Sequence, residues 1–290
     1  MRALLETVEK VLDHDVSVLI LGESGSGKDH LATAIHACGA RRDQRLVPID
    51  CASIPAELFE SELFGYEKGT FTDAQQRKLG KLELAQGGTV YFDEIGALSA
   101  ALQAKLLRAL QDRRFTRLGG NQQVELDVRI VSSSAADVDT LRRDFLYRIN
   151  VVTLALPPLR DRREDIPMLA RLFLRGVSRR VRAIDDEAMR MLVEHSWPGN
   201  VRELHNVIER AAVIEESDRI TPDSLPRDRF GSGEELVAAG GSAEWTLEEL
   251  ESRYIREVLR RTRENYSRAA EILGINRKTL LEKRRKYGIE

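Results

Sequence analysis

Cysteine and long apolar runs are scarce in this sequence. Its 290 residues hold only two cysteines, Cys38 and Cys51. Two are too few to staple a chain of this size, and they fit a reducing compartment, the cytoplasm, where thiols stay free. No apolar stretch reaches the ~18 residues that cross a bilayer, so no membrane span is expected. The opening residues, MRALLETVEK, include acids and lack the apolar segment of a secretory signal. No internal repeat is visible. An excess of either charge is missing too: 45 basic residues face 47 acidic ones, for a net charge of −2. Taken over the whole chain, that balance points away from nucleic acid.

What is present is a globular composition. Apolar residues make up 42%, enough for a sizeable core, and the length suits about two domains. Over the first 225 residues short apolar runs alternate with helical patterns. Val16–Leu21, Leu46–Ile49, Thr89–Phe92 and Val128–Val131 are strand candidates, the second weakened by Pro48. Leu98–Gln111 has leucines at helical spacing. Strands separated by helices imply a parallel sheet covered on both faces. From Asp165 to Glu215 the pattern is mostly helical, broken by WPGN at 197–200. The expected organisation is an α/β subdomain over 1–157, a small helical lid over 158–225, a Gly- and Ser-rich linker over 226–243 and an all-α tail over 244–290. Charge then separates: residues 255–290 hold 11 Lys/Arg and 5 Asp/Glu, leaving a basic tail of +6 on a body of −8. Such a tail is either a footprint for phosphate backbones or a solvated helical surface.

Residues 22–29, GESGSGKD, follow an apolar strand and precede a helical pattern. This is the frame of a phosphate-binding loop. Gly22, Gly25 and Gly27 let backbone N–H groups turn inward, with Glu23, Ser24 and Ser26 between them, and the next helix adds its positive N-terminus. Lys28 would neutralise the β- and γ-phosphates of ATP. Asp29 stands where a hydroxyl usually reaches Mg2+. A second run, TVYFDE, ends a strand in two acids. Asp93 can hold the magnesium ion, and Glu94 can polarise the water that attacks the γ-phosphate.

The tail carries a different signal. A helix over Ser267–Leu273, a turn at Gly274, an N-cap at Asn276 and a second helix over Arg277–Lys286, with Leu280 and Leu281 inward, form a helix-turn-helix pattern. Asn276, Arg277, Lys278 and Thr279 lie where such a helix reads base edges. Lys283, Arg284, Arg285 and Lys286 suit DNA phosphates. The amphipathic helix Leu247–Leu259 is expected to pack a dimer, which predicts a palindromic site.

GESGSGKD, ESELFGYEKGTFTDA (60–74), GGTVYFDEIG (87–96), LRRDFLYRINV (141–151), LPPLRDRREDIP (156–167) and WPGNVREL (197–204) together resemble the AAA+ domain of bacterial sigma-54-dependent transcriptional activators. The tail is similar to their Fis-type helix-turn-helix. The resemblance implies a hexameric ring with dimeric DNA-binding tails, bound to DNA at an upstream, enhancer-like site. It also implies ATP hydrolysis between subunits and remodelling of sigma-54 RNA polymerase. In that family Arg142 and Arg148 correspond to arginines offered to the neighbour's γ-phosphate, and Arg202 to a sensor of nucleotide state. Gly69, Thr70, Phe71, Thr72, Asp73 and Ala74 occupy the loop that grips the sigma factor, usually GAFTGA; Phe71 and Thr72 are retained, while Thr70 and Asp73 depart.

Other departures bear on catalysis. Asp50 stands for the Asn that in the family holds the catalytic Glu in an off pose, so it would repel Glu94 unless one of the two is protonated. Ala135 replaces a sensor Asn and leaves Ser134 as the polar reader. The family has a segment before MRALLETV that helps pack adenine; either the chain is truncated or its adenine pocket is incomplete. A second function stays open beside sigma-54 activation: a nucleotide-sensing, oligomeric DNA-binding regulator that acts without sigma-54.

Overall fold

The computed structural model describes residues 1–71, 74–135, 138, 140–178, 180–226, 245–262 and 265–289. Most of the expected linker, 227–243, therefore lies outside the described residues. The chain divides into two compact units, residues 1–166 with 197–206, and 167–196 with 207–290.

The first unit is built on a five-stranded parallel sheet. Its strands run in the order Leu46–Asp50, Thr89–Asp93, Arg129–Ser134, Val18–Leu21, Val152–Ala155. Parallel pairing needs crossover segments, and these supply the helices Lys28–Ala37, Ala56–Phe64 and Ala100–Asp112. Burial on both faces explains why the central strands read as continuous apolar runs: Val18, Leu19 and Ile20 are all buried. One face packs Phe59, Leu63, Phe92, Leu106 and Phe145, and the other packs Val8, Ile35, Val131 and Leu154. Each such side chain contributes about 1.5–3 kcal/mol of transfer free energy.

Pro48 proves compatible with a strand because Leu46–Asp50 is an edge strand, where a missing N–H need not break a ladder. The fifth strand, Val152–Ala155, was not among the sequence candidates. It is a second edge, drawn from the apolar run VVTLAL just before two prolines. The helix expected from Leu98 begins at Ala100 instead. Ser99 accepts a hydrogen bond from the Leu102 N–H and caps it, while Leu98 stays extended and buried.

Register decides where chemistry can gather. Asp50 pairs with Asp93, Phe92 with Ser132, and Leu21 with both Ser134 and Ala155. The strand ends that carry polar residues thus line one edge of the sheet, the edge at which ligands bind in open α/β folds.

The second unit contains helices Asp186–Glu194 and most of Ile166–Val177, the C-terminal part of helix Asn200–Ile214, and the tail. In the tail, helices Leu247–Arg261, Tyr266–Ile272 and Arg277–Lys286 close on a small core of Ile255, Val258, Leu259, Ala269, Ala270, Leu280 and Ile289. One expectation is corrected here. Leu281 does not face inward; it is 37% exposed against 0% for Leu280. The apolar face of Leu247–Arg261 packs inside its own domain, so a dimer through this helix would have to use what is left, chiefly Leu247 and Tyr254. The first helix of the pair starts at Tyr266, one residue before the expected Ser267, because Asn265 caps it. In the 290-residue chain Leu280→Ala is expected to cost the tail about 2–5 kcal/mol, and Leu281→Ala under about 1 kcal/mol. Amide exchange over 247–289 measures both.

Candidate nucleotide site and DNA-reading helix

Loop 22–27 links strand Val18–Leu21 to helix Lys28–Ala37. Gly25 and Gly27 have φ of +73° and +102°, which only glycine adopts without strain. Gly22 has no such φ. It is needed for space, since a Cβ there would lie 3.0 Å from the Leu156 carbonyl oxygen and from Ser26 Oγ. Lys28, the first helical residue, is buried, and its ammonium donates to the carbonyls of Gly22 (2.9 Å) and Glu23 (3.3 Å). It also pairs with Glu94 at 3.0 Å. Asp29 in the first helical turn is largely exposed beside His30.

Two features fit an anion at this loop. A buried ammonium sits at a helix N-terminus, and Ser26 Oγ is buried inside the loop with no hydrogen-bond partner.

The acids at the end of strand Thr89–Asp93 are tightly oriented. Asp93 Oδ1 accepts from Tyr91 Oη at 2.9 Å and Ser133 Oγ at 2.5 Å. Burial pushes the Tyr91 phenol up, so it stays a donor. Burial likewise pushes the Cys51 thiol up, with the charges of Asp50, Asp93 and Glu94 adding to it. Glu94 is held in the left-handed region at φ +50°, a conformation that costs about 1–3 kcal/mol and gathers at functional sites. Its N–H donates to Ser133 Oγ, and its Oε2 accepts the Ala135 N–H at 3.0 Å.

The expected repulsion between Asp50 and Glu94 gives way to separate engagements. Asp50 Oδ1 accepts from the N–H groups of Ala52 (3.0 Å) and Ser53 (3.1 Å) and so closes its own turn, while Glu94 turns to Lys28 and the Ala135 backbone. Replacing Asn by Ala at 135 therefore leaves a backbone donor in use. Tyr91 and Ser133 were missed in the sequence, although their place in strands ending beside the acids was a usable signal.

The loop is gripped from outside as well. Arg202 donates from its backbone to Gly25 O (3.2 Å) and from its guanidinium to Ser24 Oγ (3.1 Å). Arg162 donates to Ser26 O at 2.7 Å, and Asn200 donates to Ser24 O at 3.1 Å. A Cβ on Gly25 would come within 2.4 Å of the Gly199 carbonyl oxygen. Arg160, Arg162 and Asn200 were also absent from the sequence candidates.

Arg142 and Arg148 are exposed on and beside helix Arg143–Ile149. Arg142 makes a bidentate pair with Asp144, and Arg148 donates to the Leu110 carbonyl at 2.6 Å.

Of the loop expected to grip the sigma factor, Thr72 and Asp73 lie outside the described residues. Its described part is anchored. The Thr70 hydroxyl lies 2.6 Å from Glu67 O and 3.0 Å from Leu118 O, and a Cβ on Gly119 would lie 2.4 Å from it. Glu67 in turn pairs with buried Arg117, which also holds Glu83. Gly69 donates to Ala74 O, and Phe71 is 46% exposed with its ring edge-on to Tyr66.

In the tail, Asn276 caps the second helix by accepting from the N–H and hydroxyl of Thr279. Arg277 and Lys278 are exposed. Lys283 pairs with Glu251 and Lys286 with Glu248, whereas Arg284 donates to Ile289 O and lies over the Tyr266 ring. Arg284 thus has its Nε engaged within the domain itself.

A parallel sheet, a glycine loop with a buried lysine and a strand-end acid pair define a P-loop nucleotide-binding α/β protein of the AAA+ kind. The profile described as the sigma-54 interaction domain matches residues 1–155, an AAA+ ATPase lid domain matches 160–239, and a bacterial regulatory domain of the Fis family matches 246–287. The chain belongs to the sigma-54 interaction domain family. It is similar to the transcriptional regulatory protein ZraR of Klebsiella oxytoca, 44% identical over 98% of this chain and 66% of that protein. It is also similar to the regulatory protein AtoC of Escherichia coli K12, 44% identical over 97% of this chain and 64% of that one. The chain thus spans just under two thirds of these relatives. The structure of NtrX from Brucella abortus in complex with ATP aligns with a TM-score of 0.71 at 36% identity, covering 100% of this chain and 68% of that one. No helix among the described residues is long and apolar enough to cross a membrane.

Thr70→Ala is expected to lower local stability at the loop base by about 0.5–1.5 kcal/mol, read as faster amide exchange at Glu67, Thr70 and Gly120. Unchanged exchange would show that the hydroxyl anchors nothing.

Proposed function

We propose that this chain is an ATP-hydrolysing, DNA-binding transcriptional regulator that remodels sigma-54 RNA polymerase. The single observation that carries the reading is Lys28 of the glycine loop set 3.0 Å from Glu94, in a chain whose residues 1–155 match the sigma-54 interaction domain. In the proposed organisation residues 1–157 form the ATPase subdomain, 158–225 its lid, 226–243 a linker and 244–290 the DNA reader. NtrX, similar over the whole of this chain, has been captured with ATP and with ADP, which supports a nucleotide on loop 22–29.

Lys28 would bind the β- and γ-phosphates and in doing so leave Glu94. Glu94, steered by the Ala135 N–H, would accept a proton from water as the water oxygen attacks the γ-phosphorus and the bond to the leaving ADP breaks. Asp93, fixed by Tyr91 and Ser133, would hold Mg2+. Oxygen donors from a carboxylate and the phosphates suit that ion, and no group of three or more His, Cys, Asp or Glu ligands is required or present among the described residues. The ion would offset charge building on the transferred phosphoryl. Arg202 would report nucleotide state through its contact with Ser24. Arg142 and Arg148, exposed rather than aimed at their own loop, suit a role in trans between subunits of a hexameric ring. Phe71, on a loop base anchored by Thr70, would contact the sigma factor. Arg277 and Lys278 would read DNA, with Lys283 exchanging a half-buried ion pair and Lys286 an exposed one for phosphates.

ATP hydrolysis measured against protein concentration should rise steeply as subunits assemble. It should fall about a hundredfold or more in Lys28→Ala and about a thousandfold in Arg148→Ala. No magnesium-dependent turnover at any concentration would sink the reading. Separately, a transition-state analogue of ATP should trap a complex with sigma-54 that Phe71→Ala abolishes. Trapping that survives the substitution, or none at all, favours a nucleotide-sensing regulator acting without sigma-54.

A further inference from the structure

A carboxylate on a loop built to hold anions is electrostatically misplaced. Glu23 sits in that loop between Gly22 and Ser24, and its own carbonyl touches the Lys28 ammonium at 3.3 Å. Left uncompensated, its charge would oppose the phosphates that Lys28 and the helix N-terminus attract. The side chain is instead clamped. Arg160 grips it with a two-pronged guanidinium, Nη1 to Oε2 at 2.9 Å and Nη2 to Oε1 at 2.6 Å. Asn200 donates to the same Oε2 at 3.0 Å. Asn200 is wholly buried, holds the left-handed φ of +54°, and accepts the N–H of Leu159, the residue next to Arg160. The three segments therefore form a closed ring of hydrogen bonds: glutamate to arginine, arginine's neighbour to asparagine, asparagine back to glutamate. The Arg160 hydrogen bonds, then the Asn200 one, hold the Glu23 carboxyl at about 2, so it is ionised at any working pH.

We infer that Arg160, fixed through Asn200, is a positioning and charge-neutralising residue for the nucleotide loop: it turns the Glu23 carboxylate away and cancels its repulsion of bound phosphate. This deepens the nucleotide-binding reading above and rests on it. Both partners are partly solvent-exposed, with 42% and 37% of their side-chain surface accessible for Arg160 and Glu23, so salt must screen the effect.

The test is ADP affinity of the full chain by titration calorimetry, at low and high salt, for Arg160→Gln, Glu23→Gln, their double variant and Arg160→Lys. Arg160→Gln should bind ADP about three- to tenfold more weakly at low salt. Glu23→Gln supplies the reference for the double variant, since both lack the carboxylate. The double variant should recover most of the loss, because the unpaired carboxylate is gone. Arg160→Lys should recover part, keeping charge without the fork. The Arg160→Gln defect should shrink as salt rises. A role confined to holding the fold would give a salt-insensitive loss, shared by the double variant. Unchanged affinity in Arg160→Gln, or a double variant no tighter than that single one, overturns the clamp while leaving the nucleotide site standing. Failure of the wild-type chain to bind ADP overturns the nucleotide site and the clamp together.

Discussion

The buried ammonium of Lys28 constrains everything around it. A charge removed from water must find partners, and this one takes two loop carbonyls and the Glu94 carboxylate. Those partners come from a glycine loop and from a strand end two strands away in the sheet, so the ammonium can be satisfied only if the parallel order and register are right. The fold thus places the acid that would activate water against the group that would bind phosphate. It does so at the cost of a left-handed backbone at Glu94.

The loop itself is held on two sides. Inside, Lys28 and the start of helix Lys28–Ala37 supply positive charge. Outside, Arg160, Arg162, Asn200 and Arg202 occupy the polar groups of residues 23–26. These outer contacts come from two segments far along the chain, 159–162 and 199–202, and both flank the stretch 167–196 assigned to the second unit. Side chains that would be ordinary surface arginines in isolation become part of the phosphate loop's framework.

Much was legible in the residues. GESGSGKD and TVYFDE were readable because phosphate and magnesium chemistry demand particular residue types at short spacing beside a strand. The cap at Asn276 was readable for a similar local reason. Where two distant pieces had to meet, the reading failed. Asp50 looked opposed to Glu94 because it stands at the family's Asn position, whereas the geometry lets each carboxylate find its own N–H donors. Leu281 looked buried because helical periodicity tolerates either of two adjacent leucines, and only packing against Ile255 and Val258 selects Leu280. Arg284 was legible only as a basic residue of the second helix; that its Nε meets the Ile289 carbonyl is a contact the fold supplies.

By itself the sequence determined the class of sheet, the phosphate loop, the acid pair, the basic tail and the family, since each rests on local pattern. Tertiary structure alone decided which distant partners those groups have: Ser133 for Asp93, Ala135 for Glu94, Arg160 and Asn200 for Glu23, Leu118 for Thr70. Hydrogen bonds are short-ranged and directional, so residues with dozens of positions between them declare themselves partners only once the chain has folded.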